Sequence, residues 1–200
     1  MTGGRRFSQA VSEGDGISVI AEVDGADAAR RAEADGAEAV LVHGRRSEGQ
    51  IREVREATSL PILFAWSGER ADELAGADAC IVTFGDSGLG EGDEHADVHV
   101  ELSEEFELAL RVHDEEQLAE ALERFDPEIV VLAGSGQDGE EELDGVLELL
   151  ADVPAGKLAI AELAVSSRDD VLALERAGVD GVIVRAGNIA ELVGSAPPTV

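Results

Sequence analysis

Ala177-Gly178-Val179-Asp180-Gly181-Val182-Ile183-Val184 follows a polar segment, 168–176, whose apolar residues recur three and four apart. That spacing predicts a helix. Glycine just past the last turn stops it in the left-handed C′ conformation, and the apolar run beyond reads as a parallel strand buried on both faces. The same order of helix end, Gly, Ala or Val, an acid and an apolar run returns twice. It is seen in Asp35-Gly36-Ala37-Glu38-Ala39-Val40-Leu41-Val42 and in Ala75-Gly76-Ala77-Asp78-Ala79-Cys80-Ile81-Val82. In a variant, Phe125-Asp126-Pro127-Glu128-Ile129-Val130-Val131-Leu132, proline ends the helix instead.

Working outward, four further apolar runs lie at 17–23, 60–66, 106–113 and 157–165. Polar segments of helical period follow most of the eight runs, at 26–34, 50–58, 115–124, 140–150 and 168–176. Asp114 and Ser167 stand where N-caps belong, with acids in the first turn behind them. Eight strand–helix units, about 23 residues apart, predict a compact single-domain (β/α)8 barrel spanning residues 1–200, smaller than the roughly 250 residues usual for that fold. An open doubly wound sheet is the alternative. The stretch 85–97, rich in Gly and acids, breaks the pattern and predicts a shortened or irregular fourth helix region.

The chain has 200 residues, 44% of them hydrophobic, enough for a sizeable core. Its 44 acidic and 15 basic residues give a formal charge of −29. Nucleic acid and anionic membranes are excluded as main partners, since both require clustered Lys and Arg. All but one of the basic residues are arginine, Lys157 being the single lysine. A surface this acidic fits either adaptation to high salt or plain solubilisation. Cys80 is the single cysteine, which excludes an intramolecular disulfide and a cysteine-based zinc site. The first 30 residues carry no apolar signal core, and no run approaches the roughly 18 apolar residues of a membrane span, so a cytoplasmic protein is expected.

Individual motifs give little chemistry. Gly134-Ser135-Gly136-Gln137-Asp138-Gly139 matches the dinucleotide fingerprint as text, but Glu140, Glu141 and Glu142 open the next helix and would repel a pyrophosphate. The reading is an ordinary turn, and no cofactor is expected. His95 and His99, four apart beside Asp93 and Asp97, would suit a metal on a helix, but the local sequence reads as a solvated loop, so no metal is expected. Cys80 lies within an apolar strand and reads as a small core residue. His43, Trp66 and His113 fall at strand C-terminal ends, where barrel chemistry takes place, and each reads equally as a cap over the core. Lys157 precedes its strand, away from that end, which excludes amine catalysis there.

Four stretches resemble indole-3-glycerol-phosphate synthase, a ribulose-phosphate-binding barrel and carbon–carbon lyase of tryptophan biosynthesis. They are Phe7-Ser8-Gln9-Ala10 leading into Ile17-Ser18-Val19-Ile20-Ala21-Glu22-Val23, then Val112-His113-Asp114-Glu115-Glu116-Gln117-Leu118. The others are Ala161-Glu162 with Val165-Ser166-Ser167-Arg168-Asp169-Asp170-Val171, and the strand at 177–184. The resemblance implies catalytic glutamates at Glu22 and Glu162. It also implies departures. The family's first-strand lysine position holds Asp24, and its third-strand general-acid lysine position holds Ala65. Its fifth-strand glutamate is Arg111, and its sixth-strand Asn and Arg are Ala133 and Ser135. Leu163-Ala164 and Arg185-Ala186-Gly187 replace its Ser-Gly and its phosphate-binding Gly-Glu-Ser.

Three readings follow. In the first, Arg111 lies between Glu22 and Glu162 as an ion-paired plug in a barrel without synthase turnover, or else Arg111 and Arg185, helped by Gly187 and Asn188, bind a small carboxylate or phosphate. In the second, Glu22, Glu162 or the histidines act as acid and base on another small anionic substrate. In the third, the chain is an active synthase. A monomer is expected in each.

Overall fold

The computed structural model describes residues 6–13, 16–43, 49–84, 94–134, 140–185 and 189–193, with backbone alone at 94–99 and 140–141. Eight parallel strands close into a barrel in chain order. They are β1 (Ser18–Glu22), β2 (Ala39–His43), β3 (Ile62–Ala65), β4 (Ala79–Thr83), β5 (Glu107–Val112), β6 (Ile129–Ala133), β7 (Leu158–Glu162) and β8 (Gly181–Arg185). A helix α1 (Arg6–Ser12) precedes them. The connections are α2 (Ala26–Ala34), α3 (Gln50–Ala57), a 3₁₀ turn at Ala71–Leu74, α4 (Glu94–Glu105), α5 (Glu115–Phe125), α6 (Glu140–Leu150) and α7 (Arg168–Ala177), with α8 (Ile189–Val193) last.

The closed barrel excludes the open-sheet alternative. One expectation is corrected. The chain is helical from Glu94, inside the stretch read as a loop; residues 85–93 lie outside the described part. The shortened unit is the third, where a four-residue 3₁₀ turn stands for the helix. Valines and acids at alternating positions masked the helical period of α4. Its place in the outer layer is fixed instead by tertiary burial of residues such as Leu102, 2% exposed.

Successive strand residues face opposite ways, so each strand feeds two cores. Ile20, Leu41, Leu63, Ile81, Val131, Ile160 and Ile183 fill the barrel interior, while Val19, Val40, Phe64, Val82, Leu110, Val130 and Val182 pack outward under the helices. Ala39, Ala79 and Ala109 keep the interior narrow.

The recurrent Gly–x–acid turn has a mechanical use. Gly178 caps α7 at φ 98°, donating its N–H to Glu175 and Leu174. Two residues on, Asp180 accepts the Ala159 N–H at 2.8 Å, and in the equivalent turn Asp78 accepts the Ile62 N–H at 2.8 Å. Each acid thus ties the coming strand to the start of the previous one. Both expected N-caps form, Asp114 accepting from the Gln117 N–H and Ser167 from the Asp170 N–H.

The N-terminal mouth of the barrel is stoppered by α1. Phe7 and Val11 are buried within the interior cluster. Glu107, at the start of β5, accepts the N–H groups of Phe7 and Ser8 at 2.8 and 3.1 Å. Arg6 reaches the Ser59 carbonyl and Asp78. With that mouth filled, an interior site has to lie at the other end.

Candidate active site at the C-terminal mouth

Seven strands end with an inward-facing residue above the apolar interior: Glu22, His43, Thr83, Arg111, Ala133, Glu162 and Arg185, each two residues beyond an interior side chain. In β3 the inward end is Ala65. The sequence-derived candidates Glu22, Arg111, Glu162 and Arg185 therefore share one ring. Gly187 and Asn188 lie outside the described residues.

The ring is divided. On the β4–β5–β7 side, Arg111 sets its guanidinium fork on Glu162, Nε donating to Oε2 at 2.7 Å and Nη2 to Oε1 at 3.0 Å. Nη1 donates to the Thr83 hydroxyl at 3.3 Å. The two side chains are 15% and 27% exposed. A bidentate, largely desolvated pair of this kind is among the stronger polar contacts in proteins. The expected bridge from Arg111 to both glutamates is not what forms. Glu22 faces His43 instead, Nε2 lying 3.4 Å from Oε1, because the two end adjacent paired strands.

On the β8–β1–β2 side the ring opens into a cleft of about 450 Å³ lined by Glu22, Asp24, Arg31, His43, Gln50 and Arg185. Gln50, 7% exposed, donates to the Asp24 carbonyl at 3.2 Å and fixes the loop after β1. Among the described residues Arg31 is tethered only through Nε, to the Asp27 carbonyl at 3.4 Å. Among the described residues neither Arg31 nor Arg185 forms an ion pair, so two guanidinium groups face the cleft with donors to spare.

A second cleft of about 420 Å³ lies between the starts of α5 and α6, lined by His113, Asp114, Glu142 and Glu148 among others. Glu142 was missed in the sequence. It is 7% exposed and accepts the Ala164 N–H at 3.2 Å. A Cβ on Gly134 would lie 2.3 Å from its Cγ, so this glycine makes room for a carboxylate. The available signal was a Gly directly after a strand with a Glu in the next helix.

The remaining candidates lie elsewhere. The Trp66 indole N–H donates to the Glu69 carbonyl at 2.6 Å, and its ring packs on the outer core. Burial pushes the Cys80 thiol up to about 12, which suits a core residue and not a nucleophile. His95 and His99 fall on α4, with side chains outside the described part. No group of three or more potential metal ligands converges among the described residues. No described helix is long and apolar enough to cross a membrane.

No protein-family profile matches the chain. It is similar to several indole-3-glycerol phosphate synthases. That of Albidiferax ferrireducens is 35% identical over 77 residues, 38% of this chain and 29% of the relative. That of Shouchella clausii is 28% identical over 78% of this chain and 65% of the relative, and that of Chlorobaculum tepidum 28% identical over 93% and 82%. The chain thus covers less than two thirds of the first two relatives. The closed eight-stranded parallel barrel makes the chain a TIM barrel, and its sequence is similar to indole-3-glycerol phosphate synthases over most of its length.

Proposed function

We propose that this barrel does not turn over a synthase substrate and instead holds a small carboxylate- or phosphate-bearing ligand in the open half of its mouth. The observation that carries this reading is the Arg111 fork on Glu162. It engages both oxygens of the glutamate that the family resemblance marks as catalytic. A carboxylate so held is a poor proton acceptor for a substrate, and removing it from the fork leaves a guanidinium unpaired. The lysine positions implied by the resemblance hold Asp24 and Ala65, so no ammonium acid stands at the mouth. Arg185 and Arg31 supply the positive charge that an anion needs in a protein of charge −29. Gly187 and Asn188, which follow Arg185 in the sequence, are assigned to the same ligand.

The test is turnover of carboxyphenylamino-deoxyribulose phosphate, followed by indole fluorescence at high protein concentration beside Glu162→Gln. Wild type is expected to give no signal above the variant. A wild-type signal that the variant abolishes would establish Glu162 as catalytic and overturn the reading.

A further inference from the structure

We infer that Glu22 and His43 form a proton-transfer pair that acts on the anion held by Arg31 and Arg185, so that the open cleft is a catalytic site for small phosphate- or carboxylate-bearing compounds with a C–H next to a carbonyl. The inference rests on the anion-binding reading above.

Four observations support it. First, the pair is poised and not locked. Nε2 of His43 lies 3.4 Å from Oε1 of Glu22, beyond a good hydrogen bond, whereas the Arg111–Glu162 contact is 2.7 Å. Loose pairs of this kind tighten when substrate arrives. Second, both groups reach the cleft, their side chains being 39% and 45% exposed. Third, the charge around them is matched. Glu22 and Asp24 are offset by Arg31 and Arg185 lining the same 450 Å³ space. Within that balanced lining, Arg31 and Arg185 are the groups that can take a ligand anion, and Glu22 and His43 line the same space. Fourth, the β1–β8 register puts Glu22 directly beside Arg185, and β1 and β2 are adjacent, so all three groups stand on rigid strand ends.

The step balances without a cofactor. The Glu22 carboxylate takes the proton from carbon, and the C–H electron pair becomes the enediol double bond. The carbonyl π pair takes the proton of the His43 imidazolium, leaving a neutral imidazole and a carboxylic acid. Exchange of the Glu22 proton with solvent, followed by reversal, returns the ketone with one hydrogen replaced.

The probe is dihydroxyacetone phosphate in D2O, with binding by calorimetry and loss of the carbon-bound proton signal by NMR. Wild type is expected to bind it and to exchange the proton faster than buffer. Glu22→Gln and His43→Gln are expected to bind within about threefold of wild type and to lose a hundredfold or more of the exchange, the contribution typical of a positioned acid or base. Arg185→Gln is expected to weaken binding at least tenfold. Binding without exchange above buffer, or exchange surviving in both dyad variants, overturns the inference and leaves the anion-binding reading standing. Absence of binding overturns both.

Discussion

The two halves of the barrel mouth use the same residue types for opposite ends. On the β5–β7 side an arginine and a glutamate satisfy each other in a largely buried bidentate pair. On the β8–β1–β2 side a loosely paired glutamate and histidine and two arginines without an ion pair among the described residues line open space. Composition does not distinguish them. Distance does, because a guanidinium whose fork lies 2.7 Å from a carboxylate has committed that edge to it, while one facing a cleft keeps its fork for a ligand. A ring of charges at a barrel mouth is thus not one site until its pairings are known.

The sharpest way to break this contrast is to remove one partner from each half. Arg111→Met strands the Glu162 carboxylate in a largely dry position and is expected to lower unfolding free energy by about 3 kcal/mol. Arg185→Met, at an exposed strand end, is expected to change it by less than about 0.5 kcal/mol. Equal losses in urea titrations would mean that the halves do not differ. Gly134→Ala comes next. The added methyl overlaps Glu142, which must leave the Ala164 N–H, at about 2 kcal/mol. Faster hydrogen exchange at the Ala164 amide would register the release, and an unchanged rate would show that Glu142 has room to adapt.

A smaller effect concerns Asp170, which caps α7 just beyond β7. Burial raises its pKa, but hydrogen bonds from the Ser166 and Ser167 backbone and side chains outweigh this and hold the carboxyl below its usual range. A depressed folded-state value stabilises the protein above the unfolded pKa and is lost as pH falls through the folded one. Asp170→Asn is therefore expected to cost about 1 kcal/mol at neutral pH and to converge on wild type in acid, as pH falls through the lowered folded value. A constant difference across pH would refute the charge-based cap. Smallest of all, His43→Gln should leave stability within about 0.3 kcal/mol, because its partner Glu22 stays hydrated. A larger loss would make the open half structural as well.

The strands and most helices were legible because each Gly–x–acid turn marks a strand start with a backbone requirement. The helix α4 was not, since its alternating valines mimic a strand and its burial comes from packing on β5 and on the 3₁₀ turn. Within the mouth, the two-residue period placed Glu22, Arg111, Glu162 and Arg185 on one ring. It did not choose partners. Whether Arg111 met Glu22 or Glu162 depended on side-chain reach across the barrel, which no local pattern encodes. In sequence Glu142 shows only as one of three charges that would repel a pyrophosphate; its inward turn depends on a missing Cβ at Gly134, eight positions earlier.

The stopper at the opposite end sets a timetable for the newborn chain. Phe7 is clasped by a carboxylate 100 residues downstream, so α1 has no seat until β5 has been made. At roughly 5–20 residues per second, that is on the order of 5–20 s during which Phe7 and Val11 wait uncovered. The helix α1 is thus made well before its seat, and a polypeptide released before Glu107 would carry its cork with no bottle to fit.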